Sequence, residues 1–124
     1  MKFREIKTSM KTQVFLGRNA GNNDELMQKF EGKNRIIMHT AKPGSPFAVI
    51  DIAPSKVSKK ELKEVALIVA SKSQDWRDNK NNVKVDVFNG KNVYKLKRMK
   101  KGTWGVRKKN KSIIVKKQEL EKFS

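Results

Sequence analysis

A basic side chain and several amides cluster at the predicted start of the first helix. Arg18 and Asn19 lie in a loop, and Asn23, Asp24 and Glu25 follow a few residues later. A helix N-terminus presents free N–H groups and a partial positive charge, so this cluster suits a phosphate. The two acids, however, complement the same charge, and the plain alternative is a loop held by asparagine side chains. The sequence leaves both interpretations open.

His39, the single histidine, ends a predicted strand just before the turn Pro43–Pro46. In a binding role it would contact a phosphate or a base edge. In a structural role it would be hydrogen-bonded, partly buried, and would tie the turn to the sheet. A catalytic base needs a nucleophile or a water as its partner, and the chain contains no recognisable triad. The structural interpretation is therefore favoured.

Two aromatic residues, Tyr94 and Trp104, lie among lysines and arginines. An aromatic ring between cations on a strand can stack on an unpaired base while the cations hold the backbone. Either ring is equally suited to the core, because strands bury alternate side chains. Trp104 is favoured for binding, since its glycine neighbours Gly102 and Gly105 are expected to leave its face accessible. Trp76, in contrast, continues a helical apolar stripe and is predicted to pack in the core.

Positive charge is concentrated at the C-terminal end of the chain. Residues 91–124 contain 13 lysines and arginines against two glutamates, a net of +11 out of the formal +18 of the 124 residues. So large a charge exceeds what solubility needs and predicts a polyanionic partner, of which nucleic acid is the commonest. An anionic membrane is less favoured, because the basic segment is rich in β-branched residues and glycine rather than patterned as an amphipathic helix. The cations predicted to contact phosphates are Lys95, Lys97, Arg98, Lys100, Lys101, Arg107, Lys108, Lys109 and Lys111.

Several classes of site are excluded by composition. The chain has no cysteine and one histidine, which rules out cysteine-based zinc sites and histidine-rich metal sites. Phosphate-binding loops, dinucleotide fingerprints and paired carboxylates are also missing, so no cofactor, metal or small-molecule substrate is predicted. The longest apolar run, 65–70, is too short to cross a bilayer, and the first residues do not form a secretory signal. A cytoplasmic protein is expected.

The predicted elements are a β-hairpin, two helices and further strands. The first helix is expected to be capped by Asn22 or Asn23 and to run to about Phe30. The second starts at the capping box Ser58–Glu61 and continues to 79–82. The predicted strands are 3–6, 13–16, 35–40, 47–52, 83–88, 93–97, 102–107 and 112–116, with Asn89-Gly90 as a hairpin turn and 108–110 as a loop. This order predicts a single α+β domain over 1–124, with a mixed or antiparallel sheet, an N-terminal hairpin, two helices packed on the sheet and a C-terminal β meander.

These blocks, in this order and at these distances, resemble the NFACT-R domain, the RNA-binding module of the NFACT proteins of ribosome-associated quality control. The resemblance covers nearly the whole chain. It is carried by Gly17–Asn19 with Asn23-Asp24, by His39-Thr40, by Pro43–Ser45, by the helix around 66–73 and by the basic region 85–105.

The resemblance implies that the family's polar positions are present as Arg18, Asn19, Asn23, Asp24 and His39. Two positions depart from the family pattern: Ile37 replaces a usual tryptophan, and Pro46 replaces a usual histidine. Larger family members also carry an N-terminal domain that contacts tRNA and a coiled coil that grips the large ribosomal subunit. Neither fits in 124 residues, so the resemblance is to the stand-alone form found in archaea, without the tail-elongating activity of the complete proteins.

The function predicted from charge and resemblance is non-enzymatic binding of RNA, either tRNA or rRNA, with the large ribosomal subunit as one candidate site. Trp104, Arg18 and His39 would then give local selectivity. Two alternatives remain: a subunit or accessory of a tRNA-modifying enzyme, and a protein-docking module on the ribosome.

Overall fold

The computed structural model describes residues 2–123. They form eight strands, four α-helices and two short 3₁₀ turns at Pro54–Lys56 and Gly90–Asn92. The elements are β1 (Arg4–Lys7), β2 (Gln13–Leu16), α1 (Ala20–Phe30), β3 (Ile36–Thr40), β4 (Ala48–Ile50), α2 (Lys59–Ser71), α3 (Gln74–Asn79), β5 (Val83–Asn89), β6 (Val93–Tyr94), β7 (Gly105–Val106), β8 (Lys109–Val115) and α4 (Lys117–Phe123).

Six strands form one sheet in the order β1-β2-β4-β3-β5-β8, and every neighbouring pair is antiparallel. The predicted α+β class, the antiparallel sheet and the N-terminal hairpin are therefore confirmed. β6 and β7 pair separately as a two-stranded ribbon. The C-terminal strands thus do not form the expected continuous meander.

The two faces of the sheet bury separate apolar clusters, because successive strand residues point to opposite sides. On one face, the stripe Leu62, Val65 and Val69 of α2 packs on valines and isoleucines of the strands, together with Leu120 of α4. On the other face, Leu26 and Phe30 of α1 pack with residues that include Ile37, Val49, Phe88 and Trp104. α1 and the 90–106 segment therefore lie on the side of the sheet opposite to α2.

The described residues, 2–123, contain four α-helices instead of the two predicted. The long second helix is interrupted at Ser73, whose backbone is extended and whose hydroxyl accepts from the Trp76 N–H, so that Ser73 caps a separate helix α3. The Gln74 N–H then donates to the Gly44 carbonyl at 2.7 Å instead of continuing α2. α4, which the sequence analysis missed, is a short helix that buries Leu120 alone among its residues up to Phe123.

Asn89-Gly90 is not the hairpin turn that its sequence predicted. The Gly90 N–H donates to the Arg35 carbonyl at 3.0 Å, and the chain leaves the main sheet there. A Cβ on Gly90 would lie 2.5 Å from the carbonyl oxygens of both Phe30 and Lys33. Glycine is required at this position because the backbone at the end of α1 approaches it closely. β5 pairs with β8 instead of with the segment that directly follows it.

Candidate nucleic-acid interface

An open cleft of about 890 Å³ lies at the end of the main sheet where β2 and β3 end. Three loops surround it: the one before α1, the one between β3 and β4, and the one between β6 and β7. The residues predicted for binding divide into two groups. The cleft is lined by Arg18, Asn19, Asn23, His39, Lys101, Trp104 and Lys109, while its lining does not include Lys95, Lys97, Arg98, Lys100, Arg107, Lys108 or Lys111.

The start of α1 forms one wall of the cleft. The N-cap is Asn19, three residues before Asn22 and four before Asn23, the two caps that the sequence predicted. The Asn19 side chain accepts from the Asn22 N–H at 2.9 Å. The first turn is therefore the uncharged stretch 20–23, and Asp24 lies beyond it. The expectation that acids fill the helix N-terminus is wrong. Asn19 and Arg18 are both exposed at this wall.

Asn23 is buried and acts as a structural bridge. Its side-chain oxygen accepts from the Phe47 N–H at 3.1 Å, and its amide nitrogen donates to the Ser45 carbonyl at 3.4 Å. A Cβ on Gly17 would overlap the same amide oxygen, so the backbone of the loop before α1 passes directly over it. Asn23 thus joins α1 to the loop between β3 and β4 and fixes two walls of the cleft.

Asp24 holds the loop 95–104 against α1. Its Oδ1 accepts from the Gly102 N–H and from the Trp104 indole N–H, each at 2.9 Å, and lies 3.5 Å from the Lys95 amine. That amine also donates to the carbonyls of Lys100 and Thr103, at 2.6 and 2.7 Å. Lys95 is therefore an internal brace of the loop, with its amine committed to protein acceptors.

Trp104 does not present the accessible face that its glycine neighbours predicted. It is only 9% exposed and belongs to the apolar cluster beneath α1, although its edge lines the cleft. The small neighbours have other roles. Gly102 adopts a positive φ of 81° against Ala20, and a Cβ on Gly105 would lie 2.2 Å from the Tyr94 ring.

His39 has the structural contacts that the sequence favoured. Its Nδ1 lies 2.7 Å from the Thr40 carbonyl oxygen, and its ring stacks on Phe47 with centroids 4.2 Å apart. Because a carbonyl oxygen only accepts, Nδ1 carries the proton. Burial lowers the pKa of His39 below 6.5, despite opposing contributions from the backbone of Thr40 and from the charge of Asp86. The imidazole that lines the cleft is therefore neutral at pH 7.

We expect an NMR titration of the His39 ring to give a midpoint below 6.5, the ordinary pKa. Since the unfolded chain then takes up the proton first as the pH falls, the stability associated with the neutral ring is present above pH 6.5 and is lost through the folded pKa. The His39→Asn variant should accordingly lose less stability on acidification than the wild type. A midpoint above 6.5 would contradict the buried, neutral ring.

Three cations line the cleft that the sequence analysis did not select. Arg4 comes from β1, Lys72 from the end of α2 and Arg77 from α3. The guanidinium of Arg77 is held by neutral acceptors, the Lys72 carbonyl at 3.1 Å and the Gln74 side chain at 3.0 Å. These residues lie in the less basic part of the chain, so the charge of the C-terminal segment does not point to them. Only folding brings them to the cleft.

The cleft has a strong excess of positive charge. Among the described residues that line it, six are lysine or arginine and one, Asp86, is acidic. Asp86 is already neutralised, because its oxygens lie 3.0 Å from the Lys109 amine and accept from the Ser112 hydroxyl at 2.9 Å. Lys109 is therefore not a free cation. The remaining lining cations are Arg4, Arg18, Lys72, Arg77 and Lys101.

The other predicted cations do not line the cleft. Lys97, Arg98, Lys100 and Lys108 are exposed. Arg107 is also exposed, but its guanidinium lies 4.6 Å from the centre of the Tyr94 ring, a cation–π contact that orients it. Lys111 pairs with Val87 across the sheet, whereas Lys109 pairs with Phe88 beyond a register shift. The bulge explains why Lys109 reaches the cleft and Lys111 does not line it.

Within residues 2–123, no group of three or more His, Asp or Glu side chains is arranged to hold a metal ion. Over the same residues, every helix is too short or too polar to span a bilayer.

Comparison with known proteins identifies the family. The chain spans only part of the length of the two proteins that it resembles, a tenth of the first and about half of the second. It is 33% identical over 64 residues to the archaeal Rqc2 homolog aRqcH of Methanocaldococcus jannaschii, covering 52% of this chain and 10% of that protein. The solved C-terminal part of the fibronectin/fibrinogen-binding protein from Streptococcus suis superposes with a TM-score of 0.78 at 25% identity, over 97% of this chain and 47% of that one. The family described as the NFACT protein RNA binding domain matches residues 2–108, so this chain belongs to that family.

Proposed function

We propose that this chain is a non-enzymatic domain that binds structured RNA, either tRNA or rRNA, through the cleft and the basic surface beside it. One observation carries the proposal: in the described part of the chain, six lysines and arginines line one cleft whose one acid, Asp86, is already paired. Phosphates would neutralise this charge, and the release of their counterions would drive binding.

A binding role fits the polar residues better than a catalytic one. The carboxylate of Asp24 is occupied by three donors of the 95–104 loop, and the amide of Asn23 by two backbone groups. His39 is neutral and donates to a backbone carbonyl. Each group supports a wall of the cleft, and the exposed cations are left to contact the ligand.

The process we propose is ribosome-associated quality control or a tRNA-related step in the cytoplasm, with the large ribosomal subunit as a candidate partner. Support comes from the family description and from the name of the archaeal relative, an Rqc2 homolog. Crosslinking in cells followed by sequencing of the attached RNA would separate tRNA from rRNA.

The affinity for a structured RNA is expected to fall steeply with salt. Each neutralised phosphate contributes about −0.9 to the slope of log K against log salt for duplex DNA and about −0.7 for single strands. Replacing Lys97, Arg98 and Lys100 with glutamine should therefore make the slope shallower by about 2 to 3. Fluorescence anisotropy with labelled tRNA between 50 and ~300 mM salt measures it.

The matched control removes three exposed lysines of α2, Lys59, Lys60 and Lys63, which lie at the end of that helix remote from Lys72. It lowers the net charge by the same amount and should leave the slope nearly unchanged. The proposal fails if the wild type does not bind structured RNA at low salt. It also fails if both triple variants make the salt dependence shallower by the same amount.

A further inference from the structure

One ring nitrogen of His39 has no protein partner. The other, Nδ1, donates to the Thr40 carbonyl at 2.7 Å, so that Nε2 is the nitrogen without a proton in the neutral ring. The Ser45 carbonyl, which also lies near the ring, is outside hydrogen-bond geometry and accepts from the Asn23 amide. Within residues 2–123, no buried polar side-chain atom lacks a hydrogen-bond partner. Since Nε2 makes no hydrogen bond there, it must be accessible, and His39 lines the cleft.

The chemistry of Nε2 restricts what can bind next to it. Burial holds the pKa of His39 below 6.5, so the ring is neutral at pH 7. An unprotonated imidazole nitrogen offers a lone pair and can only accept a hydrogen bond. A phosphate oxygen also only accepts, so the contact with a phosphate that the sequence allowed for His39 does not suit this ring. The group that binds at Nε2 must carry an O–H or an N–H.

The surroundings of His39 on the α1 side of the sheet suit a neutral group beside a phosphate. Asp86 lies on the same face as His39, because the two residues are direct partners across β3 and β5. The carboxylate of Asp86 is neutralised by the Lys109 amine at 3.0 Å, so no excess charge remains there. Lys101 lies on the same side, beside Gly21 in the first turn of α1, and has no acid partner within residues 2–123. It is therefore free to contact a phosphate.

The aromatic rings of the cleft favour recognition of the sugar over recognition of a base. An unpaired base is usually bound by stacking on an exposed aromatic ring. Among the described residues, the phenyl and indole rings that line the cleft are those of Phe47, Phe88 and Trp104, and all three residues are buried. Phe47 also covers one face of the His39 ring. A ribose 2′-hydroxyl needs no such platform, since it is a neutral donor next to a phosphate.

We propose that Nε2 of His39 accepts a hydrogen bond from a ribose 2′-hydroxyl of the bound RNA, so that the cleft distinguishes RNA from DNA. The proposal rests on the proposed function and adds the group that is recognised. The cations can contact the phosphates of either nucleic acid, whereas His39 contacts a group that only RNA has. An A-form helix displays its 2′-hydroxyls along a wide, shallow minor groove, so paired RNA can present one without opening.

The test compares two hairpins of the same sequence, an RNA and its 2′-fluoro analogue. The analogue keeps the A-form helix and the phosphates, but its 2′ position cannot donate a hydrogen bond. The wild type should bind the RNA about three- to tenfold more tightly, which corresponds to one neutral hydrogen bond. The His39→Asn variant should bind both hairpins equally. Its amide can still donate to the Thr40 carbonyl, but the side chain is too short to place an acceptor where Nε2 lies.

Thermal unfolding establishes that the variants fold, and His39→Gln, whose longer amide can place its oxygen near the Nε2 position, should retain part of the preference. Arg98→Gln removes an exposed cation that does not line the cleft and should weaken both hairpins by the same factor. The inference is overturned if the wild type binds both hairpins equally, or if His39→Asn keeps the full preference. Those outcomes leave RNA binding itself intact. Failure of the wild type to bind the RNA hairpin at low salt would instead overturn the proposed function.

Discussion

Replacing Asp24 with alanine is expected to destabilise the domain by about 2–4 kcal/mol and to weaken RNA binding as well. Two donors, the Gly102 N–H and the Trp104 indole N–H, would lose their acceptor, and the Lys95 amine would lose its carboxylate. An unsatisfied buried donor costs about 1–3 kcal/mol. The total loss of stability is smaller than the sum over the donors, because the Asp24 side chain is 18% exposed and water can reach the site.

The effect on RNA binding follows from the position of the loop. Asp24 lies on α1, and the 95–104 loop that it holds carries Lys101, which lines the cleft, and the exposed Arg98. Without the carboxylate, ordering this loop would cost conformational entropy each time RNA binds. Urea denaturation measures the stability, and anisotropy with a structured RNA measures the affinity.

The control is Asp78→Ala, which removes an acid on the exposed surface of α3 whose side chain accepts from Gln74. It makes the same change in net charge and should alter stability by less than about 0.5 kcal/mol. Asp24→Asn should lie between wild type and alanine, since an amide oxygen can still accept from one donor. If Asp24→Ala were as stable as Asp78→Ala, the carboxylate would not be what holds the loop.

Asp24 also illustrates what the sequence could and could not predict. The sequence placed it in the first turn of a helix, where it would complement the helix dipole, whereas it lies beyond that turn. The groups that donate to its carboxylate lie about 80 residues away along the chain. No local sequence pattern specifies a contact at that separation. The prediction that Trp104 is accessible failed in the same way. It was based on the glycines next to Trp104 in sequence, whereas its burial depends on residues that are distant in sequence.

Local signals predicted the elements better than their pairing. The capping box at Ser58 is present in the structure, as is the helix end near Asn79. The Asn89-Gly90 pair was misread, because glycine can serve a tight turn or a close approach of backbones, and only the contact with Phe30 and Lys33 distinguishes them. The sequence likewise placed Ser73 inside one continuous helix. The break at Ser73 becomes evident only from a distant contact, in which the Gln74 N–H donates to the Gly44 carbonyl.

The cleft could be predicted only in part. Arg18, Asn19, Asn23 and His39, which the sequence singles out near the start of α1 and the end of β3, all line the cleft, and their contact with RNA stays a prediction. Arg4 and Lys72 were not selected, because each is a single cation in an ordinary segment. They reach the cleft because the N-terminal hairpin and the end of α2 meet at one end of the sheet. Composition does not reveal that meeting.

Replacing Glu61 with alanine is expected to give a second large loss of stability, about 2–4 kcal/mol. Glu61 is 1% exposed, and its carboxylate accepts from the Thr8 hydroxyl at 2.9 Å and from the Ser58 N–H at 3.2 Å. It therefore closes the capping box of α2 and at the same time holds the turn between β1 and β2. Its loss would leave a buried hydroxyl and the helix cap without their acceptor.

The contribution of Glu61 depends on pH in a defined direction. A hydrogen bond from Thr12, together with those from Ser58 and Thr8, lowers the pKa of Glu61 below 4.5, although burial opposes the shift. As the pH falls, the unfolded chain is protonated first, so the stabilisation is complete above pH 4.5 and is lost through the folded pKa. The difference in unfolding free energy between wild type and Glu61→Gln should thus be larger at pH 7 than at ~pH 3.

Urea denaturation at both pH values measures this difference, with Glu64→Gln as the control. Glu64 accepts from Ser9 in the same turn but at the exposed surface, where water replaces the lost acceptor, so its effect should be small. A pH-independent difference for Glu61→Gln would contradict the lowered pKa.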